Sequence, residues 1–412
     1  MIKTGNEPIT VKTYIAILAV CFIINLPGVA IAPVEGKLRE MLHTSELTIQ
    51  LLTVLPNFMV IPFVLLSGKL SEYKHKAFLI LISLIVYVGC GVSYLLCNSI
   101  TGLIITSCIL GCADGVLIPF AMGFVVNTFE GKYRTRQLGI KSMVSNLGVL
   151  IASFIIGFLV ESKDWHLPFC VYLIAVLPLI FCSEIHNIPG FGKKISIQPV
   201  IQGDTKEECI KDIDSKKIRG LIANNVSFTF ITFAVIIYLP QLVQQNGWDP
   251  RISADVNSIF FLSMIVSGIF LVPFIRFFRS LLFPSIGFLL ALGIGIINFI
   301  GAKWSFYLGG VFTGLAFGVF QPLIYDKTSY AVNNPNKNIF GLSLVLTALY
   351  IAISIEPFVI SGITKLFHIA EENHFAFTLS FYLGVVYILV SFILRHAFTF
   401  SIEKRYYDDK DI

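Results

Sequence analysis

Twelve apolar runs of roughly 20 residues, joined by short polar connections, set the rhythm of this chain. They cover residues 13–33, 47–68, 77–97, 102–126, 138–160, 167–185, 219–241, 255–277, 281–301, 304–326, 340–366 and 375–397. In hydrocarbon every backbone N–H and C=O needs an internal partner, so runs of this length predict helices. The fold class that follows is an all-α polytopic membrane protein with twelve transmembrane helices. One stretch breaks the rhythm: from Gly190 to Lys217 the chain is polar and mixed in charge. Six runs precede it and six follow. The predicted organisation is an N-terminal six-helix half (1–189), a linker (190–218), a C-terminal six-helix half (219–397) and a tail (398–412).

The halves resemble one another. The fourth run reads Gly111-Cys112-Ala113-Asp114-Gly115-Val116-Leu117-Ile118-Pro119, and the tenth reads Gly314-Leu315-Ala316-Phe317-Gly318-Val319-Phe320-Gln321-Pro322. Five of these nine positions match at a constant offset of 203 (from 111 to 314). Gly139 and Gly341 correspond at nearly the same offset, and Pro62-Phe63 pairs with Pro273-Phe274. An offset of six helices keeps each copy in the same orientation. The expectation is two parallel halves with pseudo-two-fold symmetry about the membrane normal and a substrate cavity near the midplane, a transporter architecture.

Composition agrees with the pattern. The chain is 56% hydrophobic and only 13% charged, about half the charge of a soluble domain. With the N-terminus placed in the cytoplasm, 24 of the 30 Lys and Arg fall on the cytoplasmic side. The six on the other side are Lys37, Arg39, Lys163, Arg251, Lys303 and Lys365. That asymmetry predicts both termini inside. The net charge of +5 therefore reports topology and implies no nucleic acid. The eight cysteines lack metal-ligand spacing; Cys108 and Cys112, one turn apart, read as small packing residues. No metal, cofactor or disulfide is expected. The chain shows no phosphate loop and no Ser/His/Asp set, so an enzyme is not expected either.

Twelve helices in two halves, a long central loop and the segment Gly68-Lys69-Leu70-Ser71-Glu72-Tyr73-Lys74-His75-Lys76 resemble the major facilitator superfamily. Gly68, Leu70, Glu72 and Lys76 fit its loop signature, while Tyr73 and His75 depart from it. Arg134-Thr135-Arg136 resembles the family's Arg-rich segment before helix 5. The resemblance implies a conformational latch made by Gly68, Glu72, Arg134 and Arg136, formed in one rocking state and broken in the other. Asp164-Trp165-His166-Leu167-Pro168-Phe169 is similar to the drug/proton antiporter branch. That branch has Gly-Pro where Ala152-Ser153 stands here, a base at the position of Ser107 and an acid near Asn25. The family arrangement also implies Asn25, Asn57, Asn146, Asn224, Asn225 and Tyr238 as cavity residues. Interhelical hydrogen bonding is the competing role for each.

Two carboxyls lie deep in apolar runs. Asp114 is near the middle of the fourth, roughly 18 Å along a helix from Gly102, and Glu356 is in the eleventh, just before Pro357. Such groups are expensive in a bilayer and mark ion or substrate paths. With no fixed cation in mid-span, burial favours the protonated form, so both are expected proton-coupling residues. Hydrogen bonding to a neighbouring helix competes for Asp114, and local repair of the backbone at Pro357 competes for Glu356. Phe317, Gln321 and Tyr325 share one helical face, the repeat aligns it with Asp114, Ile118 and Met122, and Ile118, Phe317, Gln321 and Tyr325 are expected to line the substrate cavity.

The function expected is proton-coupled efflux of amphipathic or cationic small molecules by alternating access. Two alternatives stand beside it: a carrier for a specific metabolite, nutrient or siderophore, and a lipid flippase or sensor on the same fold. The partners expected are a small-molecule substrate, protons and the lipid bilayer. A monomer in a bacterial inner membrane is expected.

Overall fold

The structure, a computed structural model, describes residues 9–27, 31, 38, 41–42, 44, 46–71, 76–160, 164–188, 212–249, 251–368 and 372–394. Glu72, the linker segment 190–211 and the tail 398–412 lie outside the described residues. The architecture is helical, and an isolated bridge at Ile213 and Val332 is its one extended pairing among the described residues. In chain order the helices are α1 (Val11–Ile23), α2 (Glu46–Leu70), α3 (Lys76–Leu96), α4 (Ile100–Thr128), α5 (Gly131–Val160) and α6 (Val176–Ile180). After the linker come α7 (Ser215–Gln245), α8 (Arg251–Phe278), α9 (Leu282–Ile300), α10 (Lys303–Tyr330), α11 (Asn338–Leu366) and α12 (Glu372–Ile393). Among the described residues eight helical stretches are long and apolar enough to cross a membrane, one of them holding both α8 and α9. Three shorter apolar helices, Val11–Ile23, Leu55–Leu70 and Leu167–Ile180, complete twelve.

Two spans differ from the expected run. The first stops at Ile23, ten residues early, because Pro27 lacks an N–H and its ring would clash with the Ile23 carbonyl. That carbonyl instead accepts from the Leu26 N–H at 3.1 Å and from the Tyr87 hydroxyl at 3.3 Å. The sixth is a chain of tight turns, 3-10 over Leu167–Ala175 and again over Cys182–Asn187, with only α6 between them. Pro168 opens the first 3-10 stretch and Pro178 lies within the short α6, each removing a donor that a longer α-helix needs.

The chain forms two compact units. One holds Met1–Arg134, Ile151–Leu221 and Thr328–Thr347; the other holds Thr135–Leu150, Ile222–Lys327 and Ala348–Ile412. In the first, α2 lies along α4, and α3 packs on α4 and on the 3-10 segment Leu167–Ala175. In the second, α9 packs on α12. The repeated glycines make the same contact in each unit. A Cβ on Gly111 would strike the Pro56 carbonyl of α2, and one on Gly314 would strike the Phe260 carbonyl of α8. One turn on, a Cβ on Gly115 would lie 2.8 Å from the Val60 oxygen, and one on Gly318 would lie 2.7 Å from the Met264 Cα. Small residues here let backbones touch, which is how helices associate where no hydrophobic force separates helix from solvent. Gly68 of α2 presses similarly on Ser343 of α11, and Gly139 of α5 on the Gly268 backbone of α8.

The last linker residues are anchored. Asp212 receives Lys337 Nζ at 2.9 Å and Asn334 Nδ2 at 3.2 Å on its carboxylate, and the Asn333 N–H at 2.9 Å on its carbonyl. The Asp214 N–H donates to the Ala331 carbonyl at 2.9 Å, and the Asp214 carboxylate caps α7 at Lys216 and Lys217. Lys337 and Asn334 hold the Asp212 carboxyl below the usual carboxylate range. A depressed value means that the contribution is whole above the ordinary value and is lost as pH falls through the lowered one. The Asp214 and Asn333 amides are therefore expected to keep their protection from hydrogen exchange down to about pH 5. Asp212→Ala is expected to speed exchange at both. Equal protection in the variant would show that the carboxylate holds nothing.

Candidate transport site

In the first unit Asp114 sits at mid-helix on α4, 3% exposed, within an almost continuous buried stretch from Ala113 to Val126. Ile118 and Met122 continue its face, both buried. Its charge lies within electrostatic range of the Tyr87 phenol on α3. Tyr87, Tyr94 and Tyr172 form a fully buried cluster, with Tyr94 and Tyr172 ring centroids 5.3 Å apart and Tyr87 and Tyr172 6.3 Å apart. Sequence reasoning passed over these tyrosines because an aromatic in an apolar run looks like packing. Ser107 donates to the Leu52 carbonyl at 3.0 Å and so ties α4 to α2.

The segment Asp164–Phe169 also folds locally. The His166 backbone N–H and imidazole Nδ1 meet the Asp164 carboxylate at 2.9 and 2.7 Å, holding that carboxyl below its usual range. Nε2 lies 3.3 Å from the Cys97 carbonyl, and the Trp165 ring stacks on the imidazole at 3.6 Å. This corner fixes the end of α3 to the start of the sixth span.

In the second unit Glu356 is 0% exposed on α11, and neither carboxyl oxygen has a hydrogen-bond partner. It stands in a buried stripe of Leu349, Ala352, Ile360 and Thr364, spaced by single turns. The freed backbone beside Pro357 does not engage it. An unbonded buried carboxyl costs about 1–3 kcal/mol or more.

The same unit gathers a polar seam on α7, α10 and α12. Tyr387 of α12 donates to Asn224 Oδ1 at 2.7 Å, and Gln321 Nε2 of α10 donates to Asn225 Oδ1 at 3.3 Å. Phe317 is buried between Phe228, at 6.5 Å, and Phe233, at 5.7 Å between centroids. Tyr325 is buried further along α10, and Tyr238 is buried on α7. The structure thus brings Asn224, Asn225, Phe317 and Gln321 together. Tyr387 was not anticipated, although Ser380, Gly384, Tyr387 and Ser391 form a small and polar stripe that could have shown it.

Other expected residues fall elsewhere. Asn25 is exposed in the turn beyond α1, and Asn57 is exposed on α2. Asn146 spends its amide on its own helix, donating to the Ser142 carbonyl at 2.8 Å. Of the expected latch, Gly68 packs on Ser343, Arg136 is exposed, and Arg134 is buried with its guanidinium 4.4 Å above the Tyr330 ring. The segment holds a further contact: the Thr135 hydroxyl donates to Asp326 Oδ2 at 2.8 Å. Asp326 and Lys327 are both buried, Lys327 with its ammonium 5.6 Å from the Phe283 ring centroid. Counting Lys327 as a loop residue missed this pair; the signal was that the periodicity of α10 runs past it.

The Multidrug transporter protein MdtP of Bacillus subtilis (strain 168) is 26% identical over 161 residues. That match covers 39% of this chain and 29% of that protein, under a third of its length. The fold is similar to the proton:xylose symporter XylE bound to 6-bromo-6-deoxy-D-glucose, with a TM-score of 0.71 at 14% identity over 93% of this chain and 95% of that one. It is also similar to the human organic anion transporter MFSD10, with a TM-score of 0.63 at 14% identity over 92% and 96% of the two chains. A family model described as Major Facilitator Superfamily matches residues 13–357. The chain belongs to the major facilitator superfamily of membrane transporters.

Proposed function

We propose that the chain exchanges protons for amphipathic or cationic small molecules by alternating access between its N- and C-terminal six-helix halves. The observation that carries this reading is Glu356, a fully buried carboxyl without a hydrogen-bond partner, flanked on its stripe by Ala352 and Ile360. A group so placed releases its proton only when a conformational change brings water or a cation to it, which is what coupling requires. Asp114, buried at mid-helix on α4, is a second carboxyl deep in an apolar helix. The match to a multidrug transporter over 161 residues supports drug-like small molecules as the substrates. The 24:6 distribution of basic residues supports cytoplasmic termini, and a bacterial inner membrane with a monomeric carrier fits that orientation.

The test is uptake of tetraphenylphosphonium into proteoliposomes under an imposed pH gradient. One proton per cation gives roughly tenfold accumulation per pH unit of gradient. Asp114→Asn is expected to lose it. Wild-type accumulation in that variant would remove Asp114 from coupling, and no accumulation by the wild type would overturn the proposal. A carrier for a specific neutral metabolite is the second reading, favoured by the uncharged Asn, Gln and Tyr seam of α7, α10 and α12.

A further inference from the structure

We infer that the seam of α7, α10 and α12 recognises a neutral, planar group bearing a hydrogen-bond acceptor and a donor side by side, a carboxamide or lactam edge on an aromatic ring. This rests on the reading of the chain as a transporter and is independent of proton coupling. Two amides there are half used. Asn224 is committed to the Tyr387 hydroxyl through Oδ1, and its Nδ2 is buried with no hydrogen-bond partner. Gln321 is committed to Asn225 through Nε2, and its Oε1 is buried with none. The two residues are 4% and 5% exposed. Native interiors rarely leave such atoms bare, and with these two bonds as they stand the bare ends are an N–H donor on Asn224 and a carbonyl acceptor on Gln321.

One bare end is a donor and the other an acceptor. A carboxamide offers the complement of both, whereas a carboxylate, an ammonium or a ketone satisfies one at most. The surroundings are rings. Phe228, one turn along α7 from Asn224, stacks on Phe320 with centroids 3.9 Å apart and meets Tyr387 edge-on at 5.3 Å. Aromatic faces of this kind accept a further ring in offset or edge-on contact.

Formal charge is kept away. Between Gly220 and Gln245 on α7, Trp304 and Tyr325 on α10, and Phe375 and Ile393 on α12 there is no Asp, Glu, Lys or Arg. The first charge beyond Gln321 is Asp326, which is engaged by Thr135 at 2.8 Å. The seam therefore selects by shape and hydrogen bonding. In a cationic amphipathic substrate it takes the uncharged polar portion and leaves the cation to a carboxyl.

The experiment measures equilibrium binding of benzamide to the full chain in nanodiscs by ligand-observed saturation-transfer NMR, with no pH gradient. Acetophenone, which keeps the ring and the carbonyl but lacks the N–H donor, is the matched comparison. Saturable benzamide binding, at least about tenfold tighter than acetophenone, is expected. Asn224→Leu and Gln321→Met are each expected to weaken benzamide about tenfold and to erase its advantage over acetophenone. Equal binding of the two compounds, absence of benzamide binding, or undiminished binding in both variants would overturn the inference. The comparison of the two compounds needs only the wild type, so a variant that fails to fold leaves the test intact. Because no gradient is present, loss of proton-driven transport cannot produce a negative result here.

Discussion

Glu356→Gln is expected to leave a folded transporter that no longer follows a pH gradient. Glutamine keeps the size and hydrogen-bonding capacity of the side chain but has no proton to release. Under a one-unit gradient the accumulation ratio is expected to fall from roughly ten to about one, while substrate-for-substrate exchange persists. Glu356→Leu tests the same residue from the other side. Its neighbours on α11 are Ala352 and Ile360, both buried, so an apolar side chain of similar volume replaces a carboxyl that has no hydrogen-bond partner. The gain expected is about 1–3 kcal/mol, visible as a higher melting temperature in detergent. A stabilised but uncoupled protein is the joint signature of a group retained for use at a cost in stability. Gradient-driven accumulation by the Gln variant, or a lower melting temperature for the Leu variant, would each refute the assignment.

The second large effect concerns the repeated glycines. Gly111→Val and Gly314→Val are each expected to cost about 1–3 kcal/mol or more, read as lost monodisperse protein after mild heating. The new Cβ meets the carbonyl oxygen of Pro56 in one case and of Phe260 in the other. Backbone cannot move aside as a flexible side chain can, so the helix pair must separate and lose its close contact. Gly157→Ala is the control, because nothing lies within 4 Å of the position its Cβ takes. Helix propensity alone predicts a small gain there. Collapse of the Gly111 variant beside a normal Gly314 variant would show that the two copies do not bear equivalent contacts.

The helices were legible because hydrocarbon leaves a chain few choices: runs of the required length have to be helical, and all twelve are found. The glycine repeat was legible because a residue without a Cβ is a direct record of backbone approach. Legibility failed where several partners could satisfy one group. Asn146 and Asn224 look alike as letters, yet Asn146 bonds back to Ser142 on its own helix and Asn224 reaches Tyr387, 163 residues away. Asp326 and Lys327 read as a helix end meeting water; only their long-range neighbours Thr135 and Phe283 show that they are buried. The early stop of α1 was written in Pro27, but hydropathy continues past it and hides the break.

The order in which the close contacts become available follows from where their members lie in the chain. In each copy the helix that receives the glycines is made first: α2 before α4, and α8 before α10. At a synthesis rate of about 5–20 residues per second, each pair has both members within seconds, so Asp114 emerges with its packing partner already made. The contact of Gly68 with Ser343 has the opposite character, since its two members lie 275 residues apart (343 − 68) and α11 is translated long after α2. The first unit is therefore completed by a segment made after all its other helices, and a nascent chain truncated before α11 lacks that closure however well its earlier helices have paired.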